Sequence, residues 1–424
     1  MPRRYWILTL LTVAYFVNYL DRGAISVAIP FIGRDLSLDH TQMGLAMSAF
    51  FLGFVLLELP AGWLADRIGC RVLVPAGILW WSVFSFLTGT VGSLGSLLAV
   101  RVAFGLGEGI YPPTSLKALS LWMPRRERAR ANGIMLAATN LGLAVSVLLG
   151  AGIIYLWGWR ALFYLIALPG AVVAWLLYRY YRDPAPCGEK RPGSLGQLVR
   201  LPAVWVWAVA WLAMFIAFWG LSSWLPTYLL QGRHFPLAVM GVVGSVPYVL
   251  GIVGMLLGGY LSDRLRRRAA TIVPALGLGA VAIGLGYLLP GFWPALFGFG
   301  LGNLCISMVP SAFYSLPMDS LPPEQVGAAL GLVNSVGMLS GLLAPTLIGY
   351  TIDHTGGFGG GFLIIVGSLV LSAVLVLAVR ERRLIWPAAR EAFGPASGWP
   401  SLPADWPRLA PCEGGLPCDG ALEH

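Results

Sequence analysis

The sequence predicts an all-α membrane protein with twelve transmembrane helices. Of its 424 residues, 57% are hydrophobic and only 11% are charged, and the mean hydropathy is +0.76. A water-soluble domain carries about 25% charged residues, so this chain has too few to cover a surface that faces water. At about 20 apolar residues for each crossing, the chain holds twelve spans with short loops. The composition therefore excludes a soluble enzyme and a DNA-binding protein.

Long apolar stretches mark the spans, and the basic residues indicate their orientation. With the N-terminus in the cytoplasm, 22 Lys and Arg residues fall on the cytoplasmic side and 3 on the other. Cytoplasmic loops are enriched in Lys and Arg, so both termini are predicted to be cytoplasmic, and the net charge of +9 reports topology. The spans lie near residues 5–30, 42–65, 71–92, 94–122, 131–156, 160–182, 202–230, 238–262, 269–290, 292–319, 324–351 and 359–379.

An internal repeat divides the spans into two sets of six. The segment Gly-Trp-Leu-Ala-Asp-Arg at 62–67 recurs as Gly-Tyr-Leu-Ser-Asp-Arg at 259–264, an offset of 197 residues. Two prolines and a glycine recur at an offset of 198: Pro112, Pro124 and Gly133 match Pro310, Pro322 and Gly331. Parallel repeats of this kind enclose the midplane site of many transporters.

The repeat sets the predicted domain boundaries. We expect six-helix halves at 1–182 and 202–380, joined by a cytoplasmic linker at 183–201 that carries Pro, Gly and charge. A Pro-, Gly- and Ser-rich tail at 381–424 is predicted to be disordered, and its last three residues, 422–424, resemble an expression-tag scar. No cleavable signal is visible, so the first span is expected to stay in the protein.

Several motifs carry a resemblance to a known family. GWLADRIGCR at 62–71 and the segment 101–107 resemble the major facilitator superfamily. Within it, the motif set is similar to the anion:cation symporter family, whose members carry sugar acids and other organic carboxylates. That resemblance implies a major facilitator fold, a transporter rather than an enzyme, and proton-coupled symport of an organic anion. The motifs are NYLDR at 18–22, GEG at 107–109, WMPRRERARA at 122–131, GWR at 158–160 and WLPTYL at 224–229.

Five ionisable residues lie well inside predicted spans, where they are costly and mark function by default. They are Asp21, Arg22, Glu58, Arg101 and Glu108. Arg101 and Glu108 are two helical turns apart, so they share one face about 10 Å apart. Asp21 and Arg22 point about 100° apart. We expect one of them to face the cavity and the other to lean on a neighbouring helix, with a contact between Asp21 and Arg101.

The charges of Asp21, Arg22, Arg101 and Glu108 sum to zero. Protonation of the two carboxylates leaves two positively charged arginines, and such a site suits an anion. The guanidinium fork binds a carboxylate through two hydrogen bonds and stays charged. If the expected contact between Asp21 and Arg101 opened, the Asp21 carboxyl could take up a proton and Arg101 would become free to bind the anion. The family resemblance assigns proton coupling to Asp21 and Glu108, and assigns Arg22 and Arg101 to the substrate or to the acid pair. A purely structural ion-pair network is the alternative.

The resemblance also implies the positions of the binding pocket. Phe54 and Phe313 are apolar where sugar-acid carriers tend to have hydroxyl groups, which favours a less hydroxylated carboxylate. Glu58 stands where the family has a neutral residue; it is either a third protonatable group or an acid that reaches the cytoplasmic face. The pocket positions are Tyr19, Phe54, Thr139 or Asn140, Ser311, Phe313, Tyr314 and Asn334.

The superfamily signature implies a cytoplasmic gate between helices that stabilises the outward-facing state; ordinary solvated turns are the alternative. Its residues are Asp66, Arg67, Arg71, Asp263 and Arg264. Lys117 is expected to snorkel, and His40, His234 and His354 to be surface histidines. Gly105, Gly107 and Gly109 indicate close helix packing rather than a dinucleotide loop.

The remaining expectations concern partners and rival functions. We expect no metal, no cofactor other than protons as coupling ion, no nucleic acid, and a monomer in the lipid bilayer of a bacterial inner membrane. A spinster-like lysolipid carrier shares the Asn-Tyr-x-Asp-Arg start and is the alternative transporter. A transporter-like sensor is the alternative from another class.

Overall fold

A computed structural model describes residues 3–183, 198–265, 268–315, 321 and 323–380. The predicted tail at 381–424 and most of the predicted linker, 184–197, lie outside these residues, so both predictions stay open. The described residues are helical, apart from short connections.

Eleven α-helices occur in the described residues, and a π-turn at Tyr228–Gly232 follows the sixth. The first five are α1 Arg3–Asp35, α2 His40–Ile68, α3 Cys70–Thr88, α4 Leu94–Trp122 and α5 Arg125–Tyr180. The others are α6 Pro202–Thr227, α7 Leu237–Leu265, α8 Arg268–Leu288, α9 Phe292–Phe313, α10 Pro323–Thr355 and α11 Gly359–Arg380.

Ten stretches of the described helices are long and apolar enough to cross a membrane. One of them, Arg130–Tyr180, has 51 residues and accounts for two predicted spans, because the chain turns at Gly158 with a φ of 81°. Helix α1, which carries Asp21 and Arg22, is not among the ten. The protein is therefore a multi-pass membrane protein, and the count of twelve crossings stays a prediction.

Local sequence signals explain where the helices begin and end. Asp39 caps α2, since its carboxylate accepts from the backbone N–H of Gln42 while the Gln42 side chain accepts from the backbone N–H of Asp39. The turn from α2 to α3 needs a φ of 86° at Gly69, which glycine adopts without a side-chain clash. The α4 N-terminus has a similar reciprocal cap from Ser93 and Ser96.

The helices pack in two groups. In the first group, residues 3–182, α1 packs on α5, α2 on α4, and α3 on both α4 and α5. In the second group, residues 202–380, α9 packs on α7 and α8, and α11 on α6 and α8. The two groups meet where α2 packs on α10, α5 on α7 and α1 on α6. We call the α2–α10 contact the seam, and we name its two ends the His40 end and the Asp66 end.

Glycines let α2 and α4 approach to backbone contact, as predicted for the glycines of α4. A Cβ at Gly105 would overlap the carbonyl oxygen of Phe50, and one at Gly53 would overlap the carbonyl oxygen of Val102. Gly109 lies in the same way against Phe54. This packing matters for function because it holds Phe50 and Phe54 of α2 beside Glu108 of α4.

Replacement of Gly105 by Val is expected to destabilise the protein by about 1–3 kcal/mol, because the added side chain would force α2 and α4 apart. The measurement is the thermal unfolding of detergent-purified protein. Gly152→Val is the matched control, since Gly152 is a helical glycine of α5 with open space at its Cβ position. Equal unfolding temperatures for the two variants would contradict the packing argument.

Candidate functional site

A buried ion pair lies at the centre of the first group. Arg22 of α1 donates through Nε to Oε2 of Glu108 of α4, and both side chains are almost fully buried, at 2% and 0% relative exposure. Burial of a lone charge costs several kcal/mol, so each of these groups depends on the other. Asn18 of α1 also lies in hydrogen-bonding range of the Glu108 carboxylate, whereas the Nη2 nitrogen of Arg22 makes no hydrogen bond.

Aromatic rings enclose the guanidinium of Arg22. Its Cζ lies 4.8 Å from the ring centroid of Tyr19, 4.6 Å from that of Phe54 and 5.0 Å from that of Phe50. Trp219 of α6 contributes a fourth ring at 5.9 Å, so the second group also takes part in the site. Aromatic faces attract cations, and these rings also exclude water from the ion pair.

Asp21 points away from Arg22, as expected for consecutive residues of a helix. Its Oδ1 accepts a hydrogen bond of 3.1 Å from the hydroxyl of Ser85 of α3, and the indole of Trp81, also on α3, lies in hydrogen-bonding range of the carboxylate. Arg101 lies between the rings of Phe50 and Phe104, at 5.2 and 4.8 Å, and its Nε makes no hydrogen bond.

The expected contact between Asp21 and Arg101 is wrong. The buried ion pair joins Arg22 to Glu108 instead, because Asp21 faces Ser85 of α3 while Arg22 faces α4. Arg101 lies two turns from Glu108 towards the His40 end. There it lines, with Arg22, a closed cavity of about 20 Å³. That volume holds about one water molecule. The cavity is also lined by Ser26, Met47, Trp219, Ser222 and Ser223.

Glu58 connects the two groups on the opposite side of Arg22. It lies four residues after Phe54 on α2, towards the Asp66 end, and its Oε1 accepts 3.0 Å from the amide of Asn334 of α10. Asn334 in turn accepts 3.4 Å from the hydroxyl of Tyr314. Glu58 therefore points into the seam, which contradicts the alternative that it reaches the cytoplasmic face; the other alternative, a third protonatable group, stays a prediction.

The other predicted pocket residues lie in different surroundings. Asn140 of α5 donates 3.1 Å to the sulfur of Met255, and its carbonyl oxygen is buried without a hydrogen bond. The Ser311 hydroxyl donates 3.1 Å to the backbone oxygen of Met255, so it serves the contact between α9 and α7. Phe313 is buried and stacked on Trp211 at 4.5 Å. The structure thus brings Tyr19, Arg22 and Phe54 together and ties Tyr314 and Asn334 to Glu58.

The predicted gate residues make contacts within their own groups. Asp66 accepts 2.6 Å from Lys117 of α4, which also donates to the backbone oxygen of Ala65. Arg67 lies over the ring of Trp63, and the backbone N–H of Arg71 donates to Asp183. In the second group, Asp263 accepts 3.1 Å from Arg268, and Arg264 donates to Tyr260.

Sequence reasoning missed two partners at the Asp66 end. Lys117 forms an ion pair with Asp66 rather than snorkelling alone. Asp183, just after α5, accepts from the backbone N–H groups of Cys70 and Arg71 and so caps the start of α3 from a distant part of the chain. The caps of α2 and α4 are local, whereas Asp183 is 113 residues from Cys70, so no sequence spacing points to it.

At the His40 end, one carboxylate fastens the seam. Asp353 of α10 accepts from the ring Nδ1 of His40 at 2.8 Å, and from the backbone N–H and hydroxyl of Thr41 at 2.7 and 2.6 Å. The pair of His40 with Asp353 connects the first group to the second, whereas the other ion pairs between described residues each lie within one group. His40 keeps about a third of its side-chain surface exposed, at 32%, as expected of a surface histidine, and it also has a partner that the sequence did not indicate.

Helices α2 and α10 also pack closely along the seam, from the His40 end towards Arg22. Gly349 lies against the backbone oxygen of His40, and Gly44 lies against that of Pro345. Further along the seam, the hydroxyl of Thr346 donates 2.8 Å to that of Ser48. The seam is therefore shut between its His40 end and Arg22.

The fold and the site together define a class of protein. It is a multi-pass membrane protein with a charged centre, and contacts between its two helix groups close one end of the seam. Residues 11–345 match the family model of the Major Facilitator Superfamily. The chain therefore belongs to the Major Facilitator Superfamily, as its motifs predict, and it is a transporter rather than an enzyme.

Curated relatives are transporters of similar length. The chain is 29% identical over 413 residues to the hexuronate transporter of Bacillus subtilis, which covers 92% of this chain and 98% of the relative. It is 32% identical over 392 residues to the probable sulfoacetate transporter SauU of Cupriavidus necator, covering 85% and 90%. These relatives agree with the resemblance to the anion:cation symporter family.

A solved structure shares the fold. It is a bacterial homologue of the human lysosomal transporter Spinster, in an inward-facing and occupied conformation. The TM-score is 0.77 at 22% sequence identity, and the match covers 91% of this chain and 99% of the other.

Replacement of Asp353 by Ala is expected to loosen the His40 end, because it removes hydrogen bonds to a charged acceptor, each worth about 1.5–3 kcal/mol. The readout is the alkylation rate of a reporter cysteine, Ser26→Cys, which lines the closed cavity beside Arg22. In a background without reactive native cysteines, we expect the rate to rise about tenfold or more.

The matched control is Asp35→Ala, which breaks an ion pair within the first group. Asp35 accepts from Trp159 at 2.9 Å and Arg160 at 2.6 Å, and these hydrogen bonds lower the pKa of its carboxyl. Its loss leaves the seam intact, so the reporter rate should not change. Equal rates in the two variants would show that Asp353 does not keep the seam closed.

Proposed function

We propose that the protein is a secondary active transporter that carries an organic carboxylate together with protons by alternating access. The observation that carries this proposal is Arg22, a fully charged guanidinium buried among aromatic rings, with one carboxylate partner and a free Nη2. The names of its relatives, which include hexuronate and sulfoacetate transporters, support an anionic substrate.

Substrate binding, in this proposal, takes place at the guanidinium of Arg22. The planar fork matches a carboxylate, and the rings of Tyr19 and Phe54 pack on the organic part of the substrate. Asn140, Ser311, Tyr314 and Asn334 contact other partners in this structure and would line the pocket once the two groups separate. Arg101 is a second positive charge on the His40 side.

Proton coupling follows from competition for one arginine. While Glu108 is ionised, it occupies the Nε side of Arg22. Protonation of Glu108 removes the ionic attraction and frees the fork for the substrate carboxylate, so the anion and the proton enter together. Asp21, which is buried and is held by Ser85 and Trp81 rather than by an ion pair, is the second proton acceptor. This moves the main coupling contact from Asp21, where sequence reasoning put it, to Glu108.

Alternating access requires one end of the seam to open as the other closes. We propose that the His40 end faces the outside of a bacterial inner membrane, because this orientation leaves both termini and most basic residues in the cytoplasm. The halves 1–182 and 202–380 then rock about the site. The gate residues Asp66, Arg67, Arg71, Asp263 and Arg264, now bonded within their own groups, would pair across the interface when the His40 end opens. The protein is expected to act as a monomer without nucleic acid, metal or organic cofactor.

A lysolipid carrier is the second candidate, favoured by the Asn-Tyr-x-Asp-Arg start of the α1 motif and by the aromatic lining around Arg22. A thermal-shift panel separates the two candidates. Stabilisation by short carboxylates but not by lysolipid supports the anion carrier, and the reverse supports the lysolipid carrier.

Replacement of Glu108 by Gln is expected to abolish proton-driven accumulation of substrate in proteoliposomes while exchange of labelled for unlabelled substrate continues. The amide cannot take up the coupling proton, and it leaves Arg22 free to bind. Glu127→Gln is the control, since Glu127 pairs with Arg4 at the protein surface. Undiminished accumulation in the Glu108 variant would rule out its coupling role.

Replacement of Arg22 by Ala is expected to abolish carboxylate binding, measured by isothermal titration, whereas Arg22→Lys should retain only a weak remnant. Lysine keeps the charge but not the bidentate fork. The cost of leaving Glu108 buried and unpaired is about 3–5 kcal/mol, so each variant is first checked for a folded state by size-exclusion chromatography. Unchanged affinity in a folded Arg22→Ala protein would remove Arg22 from the binding site.

A further inference from the structure

Glu58 carries a charge that the proposed mechanism does not use. It is a helix α2 residue on the Asp66 side of Phe54, and Phe54 itself packs on Arg22. One oxygen, Oε1, accepts from Asn334. The other, Oε2, is buried and makes no hydrogen bond. A buried acceptor without a donor is costly, so this oxygen is expected to gain a partner at some stage of transport.

The surroundings of Glu58 belong to the substrate site. Glu58 lies within electrostatic range of Arg22, Tyr15, Tyr19 and Tyr314, but it forms no ion pair with Arg22, whose partner is Glu108. Arg22 has a free donor, Nη2, and Glu58 has a free acceptor, Oε2. The site thus offers one group for a substrate carboxylate and another for a substrate donor, on either side of Phe54, which packs on Arg22 and lies one turn of α2 before Glu58.

The charge balance determines what kind of donor fits. Asp21, Arg22, Arg101 and Glu108 sum to zero, and Glu58 brings the total to −1. Uptake of a proton by Glu108, as proposed, neutralises that negative charge, but Glu58 keeps its own, and a simple monoanion supplies no cation to pair with it. A substrate that carries a positive group beside its carboxylate neutralises Glu58 while it neutralises Arg22.

We propose, building on the proposed function, that Glu58 binds the protonated amine of an amino-bearing carboxylate whose acid group is held by Arg22. The aromatic residues near it favour a cation, because ring faces attract an ammonium group and gain little from a hydroxyl. Tyr15 and Tyr19 stack on each other beside this space at 6.3 Å, and Tyr314 lies across it on the second group. Glu58 is thus a specificity-determining residue, and the substrate class is amino acids in the broad sense.

The test compares matched ligands by isothermal titration on the purified protein. Three series are used: ω-amino acids from glycine to 6-aminohexanoate, the ω-hydroxy acids and the plain alkanoates of equal chain length. We expect one ω-amino acid to bind about tenfold or more tightly than its alkanoate, as for a charge-assisted hydrogen bond. Glu58→Gln should abolish that preference and leave alkanoate affinity unchanged or raised.

Two further variants control the result. Glu127→Gln removes a surface carboxylate and should leave the preference intact. Glu58→Asp keeps the charge on a side chain shorter by one methylene, so it should keep the preference and shift the best ligand to a longer chain. This variant also serves if Glu58→Gln does not fold.

The proposal is overturned by three results. One is equal affinity for the ω-amino acid and the alkanoate in the unmodified protein. Another is equal binding of the hydroxy acid and the amino acid, which would mean a neutral donor. The third is a Glu58→Gln protein whose only change is the loss of pH dependence in alkanoate binding, which would make Glu58 a proton site. Absence of binding for all carboxylates, with no uptake, would instead refute the proposed function itself.

Discussion

The buried contact between Arg22 and Glu108 is the interaction on which the rest of the molecule depends. A guanidinium and a carboxylate in the middle of a membrane helix bundle are stable only because they neutralise each other and because aromatic rings exclude water around them. The close approach of α2 and α4, made possible by Gly53 and Gly105, places those rings. Packing and electrostatics are therefore two parts of the same arrangement, because the helix contacts that place the rings also keep the ion pair away from water.

The seam between α2 and α10 relates this centre to the rest of the fold. Its polar contacts follow one another along the helices, from His40 and Asp353 at one end, through Ser48 and Thr346, to Glu58 and Asn334 beyond Arg22. Glycines on both helices bring the backbones together at the His40 end. Separation of the two groups along this line would break these contacts. The contact of Glu58 with Asn334 adjoins the residues proposed to bind substrate, so in the proposed mechanism the substrate site and the seam share side chains.

The ionisable residues differ in how completely they are satisfied. Asp353 accepts several hydrogen bonds and serves as a fastening point. Glu58 keeps one buried oxygen without a hydrogen bond, whereas Asn18 lies in hydrogen-bonding range of Glu108 and Trp81 in that of Asp21. Buried polar groups in a stable protein are nearly always paired, so the free oxygen of Glu58 is the exception, and the proposed substrate contact would satisfy it. The three carboxylates lie on α1, α2 and α4, so the proposed chemistry belongs to the first group.

The sequence by itself determined the membrane class, the family, the positions of the helices and the list of buried charges. These follow from composition, hydropathy and local motifs, which depend on neighbouring residues. Only the tertiary structure decided which charges meet. It paired Arg22 with Glu108 rather than Asp21 with Arg101, joined His40 to Asp353 across 313 residues, and turned Glu58 into the seam rather than towards the membrane surface. Helical periodicity gives the face on which a side chain lies. The rotation and depth of each helix against its neighbours, set here by glycine contacts, decide which partner that face meets.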